Sequence, residues 1–528
     1  MTFRKLIPIA VLATLFAGVS VRAVAQTAVD GAVGGTVTDA SGAIISGAKV
    51  VVHSNTTNAE QATTADASGY FRVIHLQPST YTVTITAAGF KQYRATDVTV
   101  DVGLVTDISP KMPVESATET VQVTSEAPAM NATSPEFSGL ISQEQLHDLP
   151  VSNYRWSAYA SLTPAVVLDT SGFGLLSFRG QSTLLNNVTI DGADDNQAYF
   201  SEERGRTRAG YSTAKDSVQE FQVNTSNYSV EYGRSAGGVV NSVTKSGGNQ
   251  FHGGVYFYDR DAEWGGFNNF ATQNIQNPDG SFTAQHIKPT DKRKQYGGSV
   301  GGPIIKNKVF FFFAGDRFDH NFPAVAVATQ PATLFTVPDT TLPAGKVCGG
   351  TGAAAPSTID AAACTLQTNL AAAPAGATYT TAANAYISGI AGLNTMLGPV
   401  TRKGLQDVFF PKVDWQINAK NHASFEVNRL RWISPAGIQT GLTVADGSSS
   451  FGNDYVRDTF LIGKLDTAVT NKLSNEIRYQ YGRDFEFEFG QVPTPYEQNN
   501  LVKSAGGTYT NPFGPPPSVS ITNLFTIE

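Results

Sequence analysis

YGRSAGGVVNSVTK, the stretch from Tyr232 to Lys245, is a glycine-rich turn that leads into a run of β-branched residues. Its glycines allow close backbone approach and its valines favour a strand, so the stretch predicts a turn followed by a strand. Such turns are common, and the neighbours make this one informative. Upstream, Phe178–Asn196 reads FRGQSTLLNNVTIDGADDN, and downstream, Gln295–Asp316 reads QYGGSVGGPIIKNKVFFFFAGD.

These three blocks, in this order, resemble the TonB-dependent outer-membrane receptor family, and within it the Oar-like subgroup with an N-terminal carboxypeptidase-regulatory-like domain. The resemblance implies a mainly β chain: a β-sandwich of carbohydrate-binding-like fold, an α+β plug domain and the first part of an antiparallel transmembrane β-barrel. The domain limits that we expect are 1–25 for a signal peptide, 26–113 for the sandwich, 114–136 for a linker, 137–247 for the plug and 248–528 for the N-terminal portion of the barrel.

The first residues predict export. Arg4 and Lys5 precede an apolar run from Leu6 to Val19, and the small residues that end at Ala25 are typical of a signal-peptide cleavage site. The run is shorter than the ~20 residues that a membrane-spanning helix needs. No later segment is long and apolar enough to span as a helix, so any membrane crossing is expected to use β-strands.

Composition agrees with an exported β protein and argues against a nucleic-acid partner. Charged residues make up 15% of the chain, against about 25% in typical globular domains. The formal net charge is -7, and the sequence contains no cluster of Lys and Arg interleaved with aromatic residues, as a nucleic-acid groove would require.

No motif predicts an enzyme, a cofactor site or a metal site. A zinc peptidase needs closely spaced His and Glu ligands, and neither His53 nor His75 has a Glu at such spacing. The sequence also contains no H-E-x-x-H, G-x-S-x-G or phosphate-loop motif. Tyr70, Tyr81 and Tyr93 leave sugar binding by the sandwich conceivable, but a structural role for these aromatic residues is the stronger interpretation.

The linker contains a short β-prone segment that is similar to the TonB box of the family. In the family such a segment pairs by β-augmentation, in which backbone hydrogen bonds add it to a sheet of TonB, and side chains matter little. The alternative, left open by the sequence, is that Val121 and Val123 continue a strand of the sandwich or linker. The candidate residues are Glu119, Thr120, Val121, Gln122, Val123 and Thr124.

In the plug, a short helix carrying Trp156 and Tyr159 and a buried strand ending at Asp191 are expected. Arg179 and Asp191 are the charges of interest, with a structural ion pair inside the plug as the favoured role. The charged stretch from Asp194 to Arg208 is expected to form a solvated loop. The residues to which we assign structural roles in the plug are Arg179, Asp191, Gly192, Gly233, Gly237 and Gly238.

Alternation of apolar and polar residues is clearest in three barrel strands, around Val413, Phe425 and Ile477. In all, seven candidate strands are expected, near Phe251, Tyr296, Val309, Phe409, Ala423, Val456 and Leu473. Val413, Trp415 and Ile417 are expected to face lipid, and the polar residues between them the lumen. Short turns and long loops alternate between these strands, as in outer-membrane barrels. Cys348 and Cys364 lie in the longest loop and could form a disulfide.

Seven strands are too few to close a barrel, and we therefore expect the chain to be the N-terminal part of a longer receptor. The leading hypothesis is uptake of an unknown substrate across the outer membrane, with outer-membrane lipid around the barrel and TonB as energy-coupling partner. The alternatives are a surface binding or adhesion protein anchored by the barrel, with carbohydrate as one ligand class, and export of a large cargo.

Overall fold

The fold is described from a computed structural model. Strands predominate, and the chain divides into two compact units, the first containing the sandwich. In the part described, no helix is long and apolar enough to cross a membrane. The residues described are 29–114, 121–124, 137–149, 156–168, 175–197, 212–228, 232–266, 268–371, 377–437, 443–444, 447–448, 452–470, 473–502, 519–521 and 525–527.

The N-terminal unit is a β-sandwich whose two main sheets enclose an apolar core. In β6, Tyr81, Val83 and Ile85 are buried, as the alternation in the sequence predicts. The sheet orders are β5-β1-β8 and β10-β7-β6-β3-β4, and β2 pairs with β9. The strands are β1 Gly31–Thr36, β2 Thr38–Asp39, β3 Lys49–Ser54, β4 Glu60–Thr64, β5 Tyr70–Leu76, β6 Ser79–Thr86, β7 Tyr93–Val100, β8 Val105–Asp107, β9 Lys111–Met112 and β10 Val121–Thr124.

The last of these strands falls in the candidate TonB box. β10 runs parallel to β7, with Val121 opposite Tyr93 and Thr124 opposite Thr96, and it is the terminal strand of its sheet. This is the arrangement that the alternative interpretation of the segment predicts. Glu119 and Thr120 lie outside the described residues.

Residues 137–247, here called the central domain, form a five-stranded mixed sheet with two short helices. The sheet order is β11-β16-β17-β14-β15, and β14 pairs in parallel with β17. Tyr159 of the second helix is buried against Phe221 of β16. The elements are β11 Phe137–Ile141, α1 Gln143–Asp148, α2 Trp156–Ala160, β12 Val166–Leu168, β13 Leu176–Phe178, β14 Asn187–Ile190, β15 Ala193–Asp194, β16 Val218–Ser226 and β17 Val239–Thr244.

Two of the three glycines in the Tyr232–Lys245 stretch are required by close packing. A Cβ on Gly237 would lie 2.4 Å from Asn186 Oδ1, and a Cβ on Gly238 would lie 2.2 Å from the Phe178 ring. A Cβ on Gly233 would meet open space. The turn therefore fixes β17 against the turn before β14 through Gly237 and Gly238.

The remaining elements include a seven-stranded antiparallel sheet, here called the wall sheet, in the order β18-β21-β22-β25-β26-β28-β29. All seven strands predicted from the sequence are present in it. From residue 252 on, the elements are β18 His252–Asp261, β19 Thr272–Gln276, β20 Phe282–His286, β21 Lys292–Ile305, β22 Val309–Phe322, β23 Val325–Ala326, α3 Pro331–Leu334, α4 Thr358–Ala371, α5 Tyr379–Asn394, β24 Gly398–Pro399, β25 Arg402–Asn418, β26 Asn421–Ser434, β27 Thr443–Val444, β28 Asn453–Thr470, β29 Leu473–Phe489, β30 Val519–Ile521 and β31 Phe525–Ile527.

The two faces of the wall sheet differ as the alternation predicts. Val413, Trp415 and Phe425 are exposed on the outward face. Lys412 and Glu426, on the adjacent positions, are buried on the inner face. Because successive side chains of a strand point to opposite faces, one strand carries both an apolar exterior and a charged interior.

Long connections at one end of the wall sheet pack into a separate apolar cluster, here called the outer cap. It includes Ala326, Leu334, Ile390 and Met396, and β24, β23 and β27 form a small sheet within it. The Ala- and Thr-rich composition of residues 318–406 suggests mobility, but the structure has the helices α4 and α5 there. Helix formation follows from the high helix propensity of alanine.

The cap also contains the two cysteines. Cys348 and Cys364 are joined by a disulfide, and Cys364 packs with Ala363, Tyr379 and Ala383 between α4 and α5. Tyr379 Oη donates a hydrogen bond to Asp360 Oδ1 at 3.3 Å. Burial and the Asp360 carboxylate raise the pKa of Tyr379 to about 12. The disulfide thus ties the middle of α4 to the segment that precedes the helix.

Replacing Phe425 by Arg should destabilise the folded wall sheet by roughly 2 to 4 kcal/mol, because its outward side chain would place a charge in hydrocarbon. The measurement is the free energy of unfolding in phospholipid vesicles. Phe425→Leu, which keeps the site apolar, is the matched control. Equal stability of the Arg and Leu variants would contradict a lipid-facing position.

Removing the disulfide by Cys348→Ser with Cys364→Ser should loosen the cap alone. The bond closes a loop with a sequence separation of 16 residues, for which chain entropy gives a stabilisation of roughly 3 kcal/mol. Hydrogen exchange should become faster in α4 and α5 and stay unchanged in β25 and β26. Unchanged exchange in the helices would show that their packing does not depend on the bond.

Candidate functional site

A cluster of buried charges lies where the central domain meets the inner face of the wall sheet. Asp191 and Thr244 come from the central domain, and Lys412 and Glu426 from the wall sheet; we call these four residues the buried charge site. Both Lys412 and Glu426 are under 10% exposed, at 7% and 3%. Buried ions are stable only when they are paired and hydrogen-bonded, so this contact is the natural candidate for a functional site.

Local structure in the central domain positions Asp191 and Thr244. β14 and β17 run in parallel, and Asp191 follows the last residue of β14 while Thr244 ends β17. Asp191 and Gly192 both have positive φ, at 45° and 70°, which turns the chain sharply into β15. The Thr244 backbone N–H donates to Asp191 Oδ1 at 2.9 Å, and the Thr244 hydroxyl donates to Asp191 Oδ2.

The wall sheet brings the cation and a second anion to the same place. Lys412 in β25 is directly opposite Glu426 in β26. Lys412 Nζ donates to Thr244 Oγ1 at 2.7 Å and lies 3.3 Å from Asp191 Oδ2 and 3.4 Å from Glu426 Oε2. The Lys412 ammonium therefore lies between a carboxyl group of the central domain, Asp191, and one of the wall sheet, Glu426.

Electrostatics identify Asp191 as an ionised group. Burial by itself would raise the pKa of Asp191, but the Lys412 ammonium and the hydrogen bonds from Thr244 lower that pKa to about 2. The Asp191 carboxylate is therefore charged at neutral pH and attracts Lys412 at short range in a poorly solvated setting.

Three further polar contacts join the central domain to the wall sheet. The Asp194 backbone N–H donates to Gln480 Oε1 at 2.9 Å, and Gln480 Nε2 donates to the Asp194 carbonyl oxygen at 2.6 Å. Asn428 Nδ2 donates to the Ser212 carbonyl oxygen at 2.7 Å. Lys215 Nζ donates to Tyr258 Oη at 2.6 Å.

Among the described residues, few apolar side chains of the central domain pack against the wall sheet. Ala214 packs into a cluster with wall residues that include Phe312 and Phe410, and Ile190 and Ala193 pack with wall residues of β28. Gly192 fits closely under Arg478, because a Cβ there would lie 2.4 Å from Arg478 Nη1. The contact therefore depends mainly on hydrogen bonds and ion pairs, which water can replace.

The sequence identified Asp191 but assigned it the wrong partner. Arg179 is exposed at a turn, with a φ of 51°, and in the structure it does not pair with Asp191. Lys412 takes that role instead. The signal that could have indicated this is the inner-facing position of Lys412, which the alternation of β25 predicts together with that of Glu426 in β26.

Other predicted features are only partly described. The charged residues from Glu202 to Arg208 lie outside the described part of the chain. Asp454, Glu486 and Glu488 bring carboxylate oxygens within 4.8 Å of one another and are the grouping in the wall sheet that could hold a cation. The expectation that the chain binds no metal stays a prediction.

Comparison with known proteins gives matches to both units. The outer membrane beta barrel domain family matches residues 243–528, which is more than half of the chain, and the carboxypeptidase regulatory-like domain family matches residues 32–113. A curated relative, the TonB-dependent transporter Oar of Myxococcus xanthus, is 27% identical over 276 residues, which are 50% of this chain and 24% of the relative.

Solved structures with similar arrangement include two outer-membrane proteins. The outer membrane transporter YddB from Escherichia coli is 14% identical, with 66% of this chain and 39% of that chain covered and a TM-score of 0.39. The siderophore receptor PirA from Pseudomonas aeruginosa is 12% identical, with coverages of 67% and 41% and a TM-score of 0.36. The chain thus spans about a quarter of the curated relative and about two fifths of these structures.

Replacing Lys412 by Met should weaken the contact between the central domain and the wall sheet. The change leaves the Asp191 carboxylate buried without its cation, and breaking a buried pair from one side costs roughly 3 to 5 kcal/mol. The measurement is the free energy of unfolding in detergent. Lys420→Met, at an exposed turn, is the matched control and should leave stability unchanged.

The same variant should shift the acid sensitivity of the fold. A carboxylate with a lowered pKa stabilises the fold above its unfolded pKa, and this stabilisation is lost as pH falls through the folded pKa. For Asp191, this stabilisation is lost as the pH falls from 3.8, the unfolded pKa, to about 2, the folded pKa. Without Lys412 the loss should occur at higher pH, and an unchanged acid transition would contradict the assigned ion pair.

Proposed function

Because the chain belongs to the outer membrane beta barrel domain family, we propose that it is the N-terminal part of a receptor that takes up a substrate across the outer membrane. The wall sheet is then part of the barrel, and its outward apolar face contacts lipid. The central domain is the plug inside the lumen. The first residues, up to Ala25, are a signal peptide removed after export.

The observation that carries this proposal is the polar character of the contact between the central domain and the wall sheet. A gate has to hold its closed position and still be able to leave it. The buried charge site and the Gln480, Asn428 and Tyr258 contacts hold the domain by groups that water can solvate once they separate. A continuous apolar core would resist such a separation far more strongly.

We further propose TonB as the source of energy, acting through Glu119–Thr124. β10 pairs with β7 along one edge, and its other edge, at the end of the sheet, offers backbone groups for β-augmentation, which supports this role. The curated relative of Myxococcus xanthus is a TonB-dependent transporter by name. The transported substrate would first meet the outer cap.

The experiment measures movement of the central domain without knowledge of the substrate. Ala214→Cys places a thiol at a position that is 1% exposed, between the central domain and the wall sheet. Both native cysteines are in the disulfide, so only the new thiol should react with a membrane-impermeant maleimide. We expect several-fold faster labelling in energised cells than in cells treated with an uncoupler or lacking TonB.

Ser388→Cys, on the exposed surface of α5, is the control and should be labelled at one rate in all three conditions. Labelling of Ala214→Cys that does not depend on energy would contradict energised gating. If labelling did not depend on energy and cells still bound a ligand, the alternative function as a surface binding or adhesion protein would be favoured.

A further inference from the structure

A row of charged side chains crosses four neighbouring strands of the wall sheet. Arg317 in β22 is opposite Asp407 in β25, Asp407 is opposite Arg431 in β26, and Arg431 is opposite Arg457 in β28. Residues that are opposite in register share a face. In β25 and β26, the residues of this row lie an even number of positions from the exposed Phe409 and Phe425. The row therefore points to the same outward, lipid-facing side.

Three arginines of this region form a compact group, here called the arginine cluster: Arg429, Arg431 and Arg457. All three are exposed. Neighbouring strands are about 4.8 Å apart, and residues i and i+2 of a strand are about 6.7 Å apart. Long flexible side chains at such distances can converge on one ligand group.

The cluster is not neutralised by the protein. The carboxylate of the row, Asp407, accepts a hydrogen bond from Arg317 Nη1 at 2.8 Å and is thus engaged. Among the described residues, the three arginines of the cluster have no ion-pair partner. Like charges directly opposite on a sheet are destabilising, and an anion bound between Arg431 and Arg457 would remove this repulsion.

The cluster lies at the level where lipid head groups are expected. From Trp415 to Asp407, β25 covers eight residues, or about 26 Å, which at a tilt of ~40° is a height of roughly 20 Å, close to the ~25 Å apolar band of such barrels. Outward charges are costly at mid-membrane and cost little near its surface. The cluster is at the end of β26 that leads into a long connection and the outer cap.

We propose that the arginine cluster binds the phosphate groups of a phosphorylated glycolipid in the outer leaflet of the membrane. This inference rests on the proposed membrane location. Arginine is suited to this ligand, because its planar guanidinium binds phosphate through two parallel hydrogen bonds. An array of three such groups can bind two neighbouring phosphates or one phosphate shared between strands.

The test uses the full chain in detergent, with lipid A as probe and native mass spectrometry to measure the bound fraction. Arg429→Gln, Arg431→Gln and Arg457→Gln together should weaken lipid A binding about a thousandfold, because each of the three lost charged hydrogen-bonded pairs costs roughly tenfold. The corresponding triple Lys variant should bind with intermediate affinity, since it keeps the charge but loses the bidentate geometry.

Lys420→Gln is the matched control, because it removes an exposed cation at the turn between β25 and β26, away from the arginine cluster, and it should keep lipid A binding. Equal binding by the triple Gln variant would overturn the proposal, and so would equal binding of dephosphorylated lipid A. Displacement of the lipid by inorganic phosphate would show a soluble-anion site instead. If Phe425→Arg also left the folded wall sheet unaffected in vesicles, the membrane location itself would fail.

Discussion

Lys412 lies between two carboxylates in a place that water scarcely reaches, and the position of the central domain depends on this arrangement. An ammonium in such surroundings is tolerable only while both Asp191 and Glu426 remain near it. Asp191 in turn requires the sharp turn at Gly192 and the hydrogen bonds from Thr244. The observed position of the domain is therefore specified by charges that cannot be separated one at a time without cost.

Charged side chains on the two faces of the wall sheet differ in their partners, because the two faces have different surroundings. On the inner face, Lys412 lies close to Asp191 and Glu426, because an unpaired ion would be costly in a buried place. On the outward face, Arg429, Arg431 and Arg457 have no carboxylate partner among the described residues. A charge at the membrane surface can be satisfied by lipid, so the protein need not supply the counter-ion.

The outer cap is a packed apolar cluster made from long connections between strands. Helices α4 and α5, the disulfide and a small three-stranded sheet give these connections a core of their own. A surface of this kind can present a defined shape to a ligand at low entropic cost, because its backbone is already ordered. The wall strands below it then need only provide a rigid support.

Much of this architecture is determined by local sequence pattern. All seven wall strands were predicted from the sequence, and in three of them the alternation of apolar and polar residues also predicted the two faces, since a period of two residues is a local property of a strand. The close packing at Gly237 and Gly238 followed from the glycine-rich turn, and the two cysteines were recognised as a candidate pair.

What only the tertiary structure decided was which distant residues meet. Asp191 pairs with Lys412, 221 residues away, rather than with nearby Arg179, and Val121–Thr124 joins the sandwich sheet at β7. Such choices depend on how strands assemble in space, and a carboxylate or a short extended segment carries no local signal that names its partner.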